Sequence, residues 1–255
     1  MKGLILAAGR GSRMASLTSD RPKGLVEIDG RTLLDRQLSA LNRAGVTEIA
    51  VVGGWQFDGL RSLGLPLYLN AEWETTTMVD SLLSAHEWFD GEPVFVSYAD
   101  IVFGSDVVRT MMERDDELII AYDEHWLEKW TLRFEDPLTD AETFTLTPDA
   151  YLKTIGRRAT DLADIQGQYM GLLLLRPAAL EKIRAVAESN EIFSMTHLLE
   201  HLVENDVCAV KCVPTPDPWF EFDTISDIEW GTQYLRQLDA IERSIVDAEE
   251  PVAKS

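Results

Sequence analysis

The sequence predicts an α/β fold with a mostly parallel central sheet, helices on both faces and a small inserted lid region. Three observations carry that expectation. Apolar strand-like runs alternate with amphipathic helical stretches along the first half of the chain, as in β–α–β units. Glycines or an aspartate follow the carboxyl ends of these runs, at Gly9–Arg13, Gly53-Gly54 and Asp100, where such sheets bind ligands. The length of 255 residues and a hydrophobic fraction of 45% suit one domain, placed at 1–247, with a core large enough to stand alone.

Each element has its own reason. Residues 2–7 read as a buried strand. Residues 32–44 read as a helix with Leu33, Leu34, Leu38 and Leu41 on one stripe and Gly45 as the stop. Strands follow at 49–52, closed by Gly53-Gly54, and at 67–69. A helix is expected over 78–89 with Thr76 or Thr77 at its cap. Residues 94–98 form a strand running into Ala99-Asp100, 106–114 a helix and 118–122 a strand. Over 123–168 helical stripes vanish, aromatic and charged residues mix, and turn signals appear at Asp136-Pro137 and Pro148-Asp149, so the segment reads as the lid. A core strand returns at 169–175, and Pro177 opens a helix reaching 189. A helix at 195–204, a strand at 208–213, a stiff loop at 214–218 and a long polar helix at 226–247 complete the chain. Residues 248–255 read as a frayed tail.

The charge balance narrows the partners. Acidic side chains number 44 against 23 basic ones, a net charge of −21. Nucleic acid and anionic membranes both require a broad cationic surface, so both are disfavoured. The acidic excess serves solubility or reflects a saline cytoplasm, and the composition leaves both open. No stretch resembles a signal sequence or a membrane span, and a cytoplasmic location is expected. Cys208 and Cys212 read as buried strand thiols, because no further Cys or nearby His completes a zinc site. His197 and His201 share a helix face, but Glu200 is not placed as in H-E-x-x-H and no third ligand is indicated, so a surface pair is expected.

Against that acidic background, residues 1–23 hold Lys2, Arg10, Arg13, Arg21 and Lys23 but only one acid, Asp20. The stretch LILAAGRGSRMASLTSDRPK at 4–23 describes a pocket for a triphosphate. Glycines let the backbone approach an anion, and successive N–H groups in such a loop form a concavity for it. Arg13 can fork onto phosphate oxygens while Lys23 supplies a movable point charge. Asp100 stands where an apolar strand emerges, and Asp223 lies between aromatic residues in WFEFDT. Two such carboxylates with triphosphate oxygens and water would make an octahedral Mg²⁺ site. Turn formation at Asp100 and helix capping at Asp223 are the plainer readings.

The motif LILAAGRGSRM…RPKGLVEIDGRTLLDRQL resembles the N-terminal signature of sugar-nucleotidyltransferase-like enzymes with a GT-A-like Rossmann fold. YAD at 98–100 and EFDT at 221–224 match the two metal-binding segments of that superfamily, so the resemblance covers nearly the whole chain. SYADIVF, WTLRFEDPLTDAE, DIQGQYMGL and WFEFDTISDIE are most similar to the small cytidylyltransferases acting on phosphocholine, phosphoglutamine or phosphonates. The resemblance implies that Ala8, Gly9, Gly11 and Ser12 wrap the nucleotide, that Arg13 contacts its terminal phosphates, and that Lys23 sits on the α-phosphate. It implies Mg²⁺ on Asp100 and Asp223, places Glu221 near the metal and among the acceptor-binding residues, and implies base or ribose contacts from Gly53, Gly54, Thr77 and Ser81. Thr77 stands where many relatives carry Asn. Trp130, Arg133, Asp140, Glu142, Lys153 and Gln168 fall in segments that flank the acceptor in relatives. Arg133 and Lys153 would clamp its phosphoryl or carboxylate group, and Asp140 and Glu142 would pair with an amine. A salt-bridge cluster within the lid is the other reading of those charges.

The expected reaction joins CTP to a small phosphonate or phosphorylated compound, with release of pyrophosphate. Phosphocholine ranks below phosphonate and phosphoglutamine, since no cage of several aromatics is evident in the sequence. The alternatives are a sugar-1-phosphate nucleotidyltransferase using UTP or dTTP, and a nucleotide-binding regulatory module without turnover. A homodimer is compatible with the sequence.

Overall fold

The computed structural model describes residues 1–249. The chain begins with β1 (Lys2–Ala7), a small hairpin of β2 (Glu27–Ile28) and β3 (Arg31–Thr32), and helix α1 (Leu33–Arg43). Next come β4 (Glu48–Gly53), β5 (Leu67–Leu69), α2 (Met78–Ser84), β6 (Val94–Tyr98), β7 (Ile101–Val102), α3 (Ser105–Met112) and β8 (Leu118–Asp123). Then follow α4 (Trp126–Arg133), β9 (Glu142–Leu146), β10 (Leu152–Arg158), β11 (Gln168–Leu175), α5 (Pro177–Ser189) and α6 (Met195–Glu204). Last are β12 (Val210–Pro214), β13 (Phe220–Glu221) and α7 (Ser226–Glu249).

Seven strands form the main sheet in the order β12-β8-β11-β6-β1-β4-β5. All of its pairings are parallel except those of β11, which runs antiparallel to both β6 and β8. Alternation along β1 explains the layers. Leu4 and Leu6 point into a core shared with α2, α5 and α6, while Ile5 and Ala7 point into one shared with α1, α3 and α4. The expected α/β fold with helices on both faces is therefore present. β1 lies between β4 and β6, which leave it in opposite directions, so their carboxyl ends open a crevice at the switch point.

Several local expectations are corrected. Residues 123–168 are not free of helix, because α4 buries Trp126 and Trp130, which sit one turn apart on one face. The rest of that segment holds the β9–β10 hairpin and two short 3-10 turns, at Pro137–Thr139 and Leu162–Asp164. The helix over 78–89 ends as α2 at Ser84 and continues as a short 3-10 turn at His86–Trp88. The strand expected from 208 starts at Val210, leaving Cys208 just ahead of it. Both cysteines are buried and free. Of the expected frayed tail, residues 248 and 249 belong to α7 and residues 250–255 lie outside the described part.

A third, smaller core anchors the C-terminal helix. Phe220 and Phe222 pack with Met14, Leu33, Leu235 and Leu238, and Phe220 stacks on Tyr234 at 5.1 Å. This cluster fixes β13 against β7, with Glu221 paired to Ile101, and so brings residues 221–223 beside Asp100. No helix among the described residues is long and apolar enough to cross a membrane.

Candidate active site

The loop after β1 is shaped by Gly11. Its φ of 63° is left-handed, and a Cβ there would come within 3.0 Å of the Lys23 side chain, so only glycine fits without strain. Hydrogen bonds then hold the loop: Thr18 Oγ1 donates to Gly11 O at 2.9 Å, Trp55 N donates to Ala8 O at 2.9 Å, and Trp55 Nε1 donates to Thr18 O at 3.0 Å. Facing it, Lys23 opens a 3-10 turn behind Pro22 and is only 8% exposed. Its Nζ donates to Asp100 Oδ2 at 2.8 Å and to Asp223 Oδ1 at 2.6 Å. Arg13 reaches the same Asp223 oxygen at 3.0 Å.

Asp100, Glu221 and Asp223 offer carboxylate oxygens that all lie within 4.8 Å of one another. Oδ1 of Asp100 is buried and has no hydrogen-bond partner among the described residues. A buried carboxylate oxygen without a partner is costly unless a cation reaches it, and the two neighbouring carboxylates add to the negative charge that such a cation would balance. The all-oxygen donor set suits a hard divalent cation.

The electrostatics follow from crowding. Burial opposes the charge on Lys23, but Asp100 and Asp223 outweigh it and hold its pKa above the ordinary lysine value. Burial would likewise raise Asp223, but Lys23, Arg13 and Arg133 reverse the effect and lower it. Glu221 is pushed up to about 8 by burial and by the neighbouring Asp223 and Asp100, which Arg133 and Lys23 only partly offset.

Two cavities meet at these carboxylates. One, of about 280 Å³, is bounded by the loop residues Gly9, Gly11, Ser12 and Arg13 together with Lys23, Asp100 and Asp223. The other, of about 420 Å³, is walled by Arg13, Thr77, Tyr98, Trp130, Asp140, Glu142, Gln168, Tyr169, Glu221 and Asp223. Arg13, Met78 and Asp223 belong to both, so the cavities share a seam. Thr77 caps α2 there, its hydroxyl accepting from Val79 N and Asp80 N. Asn is an equally good cap, so an Asn at this position would preserve the start of α2.

The larger cavity is acidic and aromatic. Trp130 Nε1 donates to Asp140 Oδ2 at 3.0 Å, and Gln168 Nε2 donates to Glu142 O at 2.8 Å. Burial raises the pKa of Glu142, with Thr196 opposing and Asp140 adding to the rise. Tyr98 and Tyr169 meet edge to face at 6.0 Å. Gly171 makes this possible: it lies at φ 77° in a bulge of β11, and a Cβ there would strike the Tyr98 ring at 2.8 Å.

Other expected site residues stand elsewhere. Ala8, Gly53, Gly54 and Ser81 line neither cavity. Gly53 packs on Phe57 and Leu60, Gly54 on Trp73, and Ser81 Oγ accepts from Asn70 at 3.0 Å. Lys153 is exposed on β10 and lines neither cavity. Arg133 does not face open space, because its side chain is 4% exposed and its guanidinium is committed to Glu221, Asp223 and Asp227. Sequence reasoning missed Tyr169, Phe193, Met195 and Asp227. Only Asp227 left a signal, as a carboxylate in the first turn of an expected helix.

The MobA-like NTP transferase domain matches residues 3–206. CTP:phosphoglutamine cytidylyltransferase of Campylobacter jejuni is 34% identical over 250 residues, covering 90% of this chain and 98% of that protein. A 2-aminoethylphosphonate cytidylyltransferase of Lancefieldella rimae is 33% identical over 108 residues, 40% of this chain and 44% of that one. The inositol-1-phosphate CTP transferase structure from T. maritima superposes with a TM-score of 0.75 at 19% identity, covering 93% of this chain and 96% of that one, and supports the Rossmann-like nucleotidyltransferase fold. Because the match spans residues 3–206, most of the chain's length and including the loop after β1, Lys23 and Asp100, the chain belongs to the MobA-like NTP transferase domain family.

Proposed function

We propose that this nucleotidyltransferase moves CMP from CTP onto a small phosphonate or phosphorylated amino compound and releases pyrophosphate, with Mg²⁺ as cofactor and the cytoplasm as its place of work. One observation carries the reading: a loop cavity lined by Arg13 and Lys23 and an acidic, aromatic cavity share a seam at Arg13, Met78 and Asp223, with Asp100 on one side of it and Glu221 on the other. The triphosphate belongs in the loop cavity, where Gly9–Arg13 and Lys23 face it. The acceptor belongs in the larger one, its phosphoryl end at the seam and its nitrogen toward Asp140 and Glu142, with Trp130 and Gln168 as walls. The relatives named for phosphoglutamine and 2-aminoethylphosphonate support an acceptor of that kind.

In the reaction an acceptor oxygen attacks the α-phosphorus, one P–O bond forms, and the bond to the β-phosphate breaks with its electron pair leaving on pyrophosphate. That oxygen is already ionised near neutral pH, so no general base is needed. Asp100 and Asp223, with Glu221 beside them, would hold Mg²⁺, which neutralises phosphate charge and aligns the reacting groups. Lys23 exchanges its carboxylate partners for the α-phosphate, and Arg13 moves from Asp223 to the terminal phosphates. Positioning and charge neutralisation supply the acceleration.

Pyrophosphate release measured against a panel of nucleotides and acceptors tests this. CTP with a compact phosphonate or phosphorylated amino compound should exceed any sugar-1-phosphate by about two orders of magnitude in kcat/KM, because a neutral sugar leaves the carboxylates of the cavity unpaired. A preference for glucose-1-phosphate would overturn the assignment.

A further inference from the structure

Arg133 has an environment unlike that of a substrate clamp. It ends α4, and its guanidinium lies among three rings, with centroids of Trp130, Phe134 and Phe220 at 5.2, 5.3 and 5.7 Å. Nε donates to Asp227 Oδ1 at 2.8 Å and Nη2 to Asp227 Oδ2 at 3.3 Å, a two-pronged fork. Nη1 reaches Glu221 Oε2 at 3.3 Å, and Nη2 lies 3.5 Å from Asp223 Oδ2. Asp227 is 2% exposed, and its Oδ2 also accepts the backbone N–H groups of Asp223 and Thr224 at 2.9 and 2.8 Å. The fork therefore ties α4, the turn at 223–224 and the first turn of α7 into one unit.

We infer that Arg133 is a positioning residue for metal binding: through Asp227 and Glu221 it sets the place and orientation of the carboxylates at 221 and 223, and it does not touch the acceptor. The inference rests on the metal reading above. The physical reason lies in what changes when nucleotide binds. Lys23 and Arg13 both line the phosphate cavity and both leave Asp223 for the phosphates. Arg133 has no access to that cavity, so it is the cation that stays with the carboxylates throughout. An immobile guanidinium enclosed by rings holds ligand oxygens in register, where a mobile lysine would not.

Mn²⁺ titrated into the protein saturated with CTP, without acceptor, reads the site through water-proton relaxation. Arg133→Met and Asp227→Asn should each weaken Mn²⁺ binding about 10–100-fold and raise the Mg²⁺ needed for half-maximal pyrophosphate release by the same factor. The acceptor KM at saturating Mg²⁺ should stay within about threefold of wild type. Arg133→Lys, which keeps the charge without the fork, should fall between wild type and Arg133→Met. Should Arg133→Met fail to fold, Arg133→Lys and Asp227→Asn decide the matter. Unchanged Mn²⁺ affinity in the folded variants, or a rise confined to the acceptor KM, would overturn the positioning role alone. A wild-type protein that binds no Mn²⁺ even with CTP would overturn the metal reading and this inference with it.

Discussion

At the scale of single residues, the site is a contest for charge. Lys23 fills the space between Asp100 and Asp223 that a metal ion would share, with Nζ at 2.8 and 2.6 Å from their oxygens. Lys23→Ala should lower turnover about 10²–10³-fold, the range for losing one stabiliser of developing charge. Near-normal turnover would remove Lys23 from the chemistry. The same position makes a second expectation: Lys23→Met should bind Mn²⁺ without nucleotide more tightly than wild type, since the competing ammonium is gone. Arg21→Met, which removes an equal charge whose partner is Asp20, should not change that binding. Asp100→Asn and Asp223→Asn should each abolish metal-dependent pyrophosphate release, and EDTA should silence the wild type. Full activity of either variant at ordinary Mg²⁺ would refute the carboxylate site.

At the scale of elements, α2 and α4 show how position creates function. Thr77 closes a capping box with Asp80, and the residue also lines the larger cavity. Thr77→Ala should cost about 1 kcal/mol of stability in denaturant unfolding, while Thr77→Asn keeps the cap and should stay within a few tenths. Equal losses in both would show that the cap contributes nothing. α4 escaped the sequence reading for a specific reason. Its inward face carries Lys129 between Trp126 and Trp130, and a lysine breaks an apolar stripe unless its partner is known. That partner is Asp123, the last residue of β8, which accepts from Lys129 Nζ at 2.7 Å.

At the scale of the whole molecule, a net charge of −21 sets up self-repulsion that folding must overcome. Screening shortens from about 10 Å at 0.1 M salt to about 3 Å at 1 M, so KCl over that range should raise the thermal midpoint. A falling midpoint would mean that attractive pairs such as Arg31–Asp239 outweigh the repulsion. Ligand linkage gives a second test of the nucleotide. CTP with Mg²⁺ at about 100 times its Kd should stabilise the fold by about 2.7 kcal/mol, read as a higher unfolding midpoint, and UTP should do less.

The alternation of apolar runs, the basic island at 1–23 and the aspartates at strand ends were all legible in the sequence, because each is local. Periodicity, a glycine loop and the cost of a carboxylate beside an apolar run need no knowledge of distant residues. They determined the α/β sheet, and they singled out the glycine loop with Arg13 and Lys23 and the pair Asp100 and Asp223 as candidates for one site. Contacts across 88 to 94 residues of chain, such as Arg133 to Glu221 and Asp227, were decided by tertiary structure alone. An arginine in a charged, aromatic segment reads the same whether it faces a ligand or a buried carboxylate. Only the packing of α4 against α7, seated by the Phe220 and Phe222 cluster, turned its guanidinium inward.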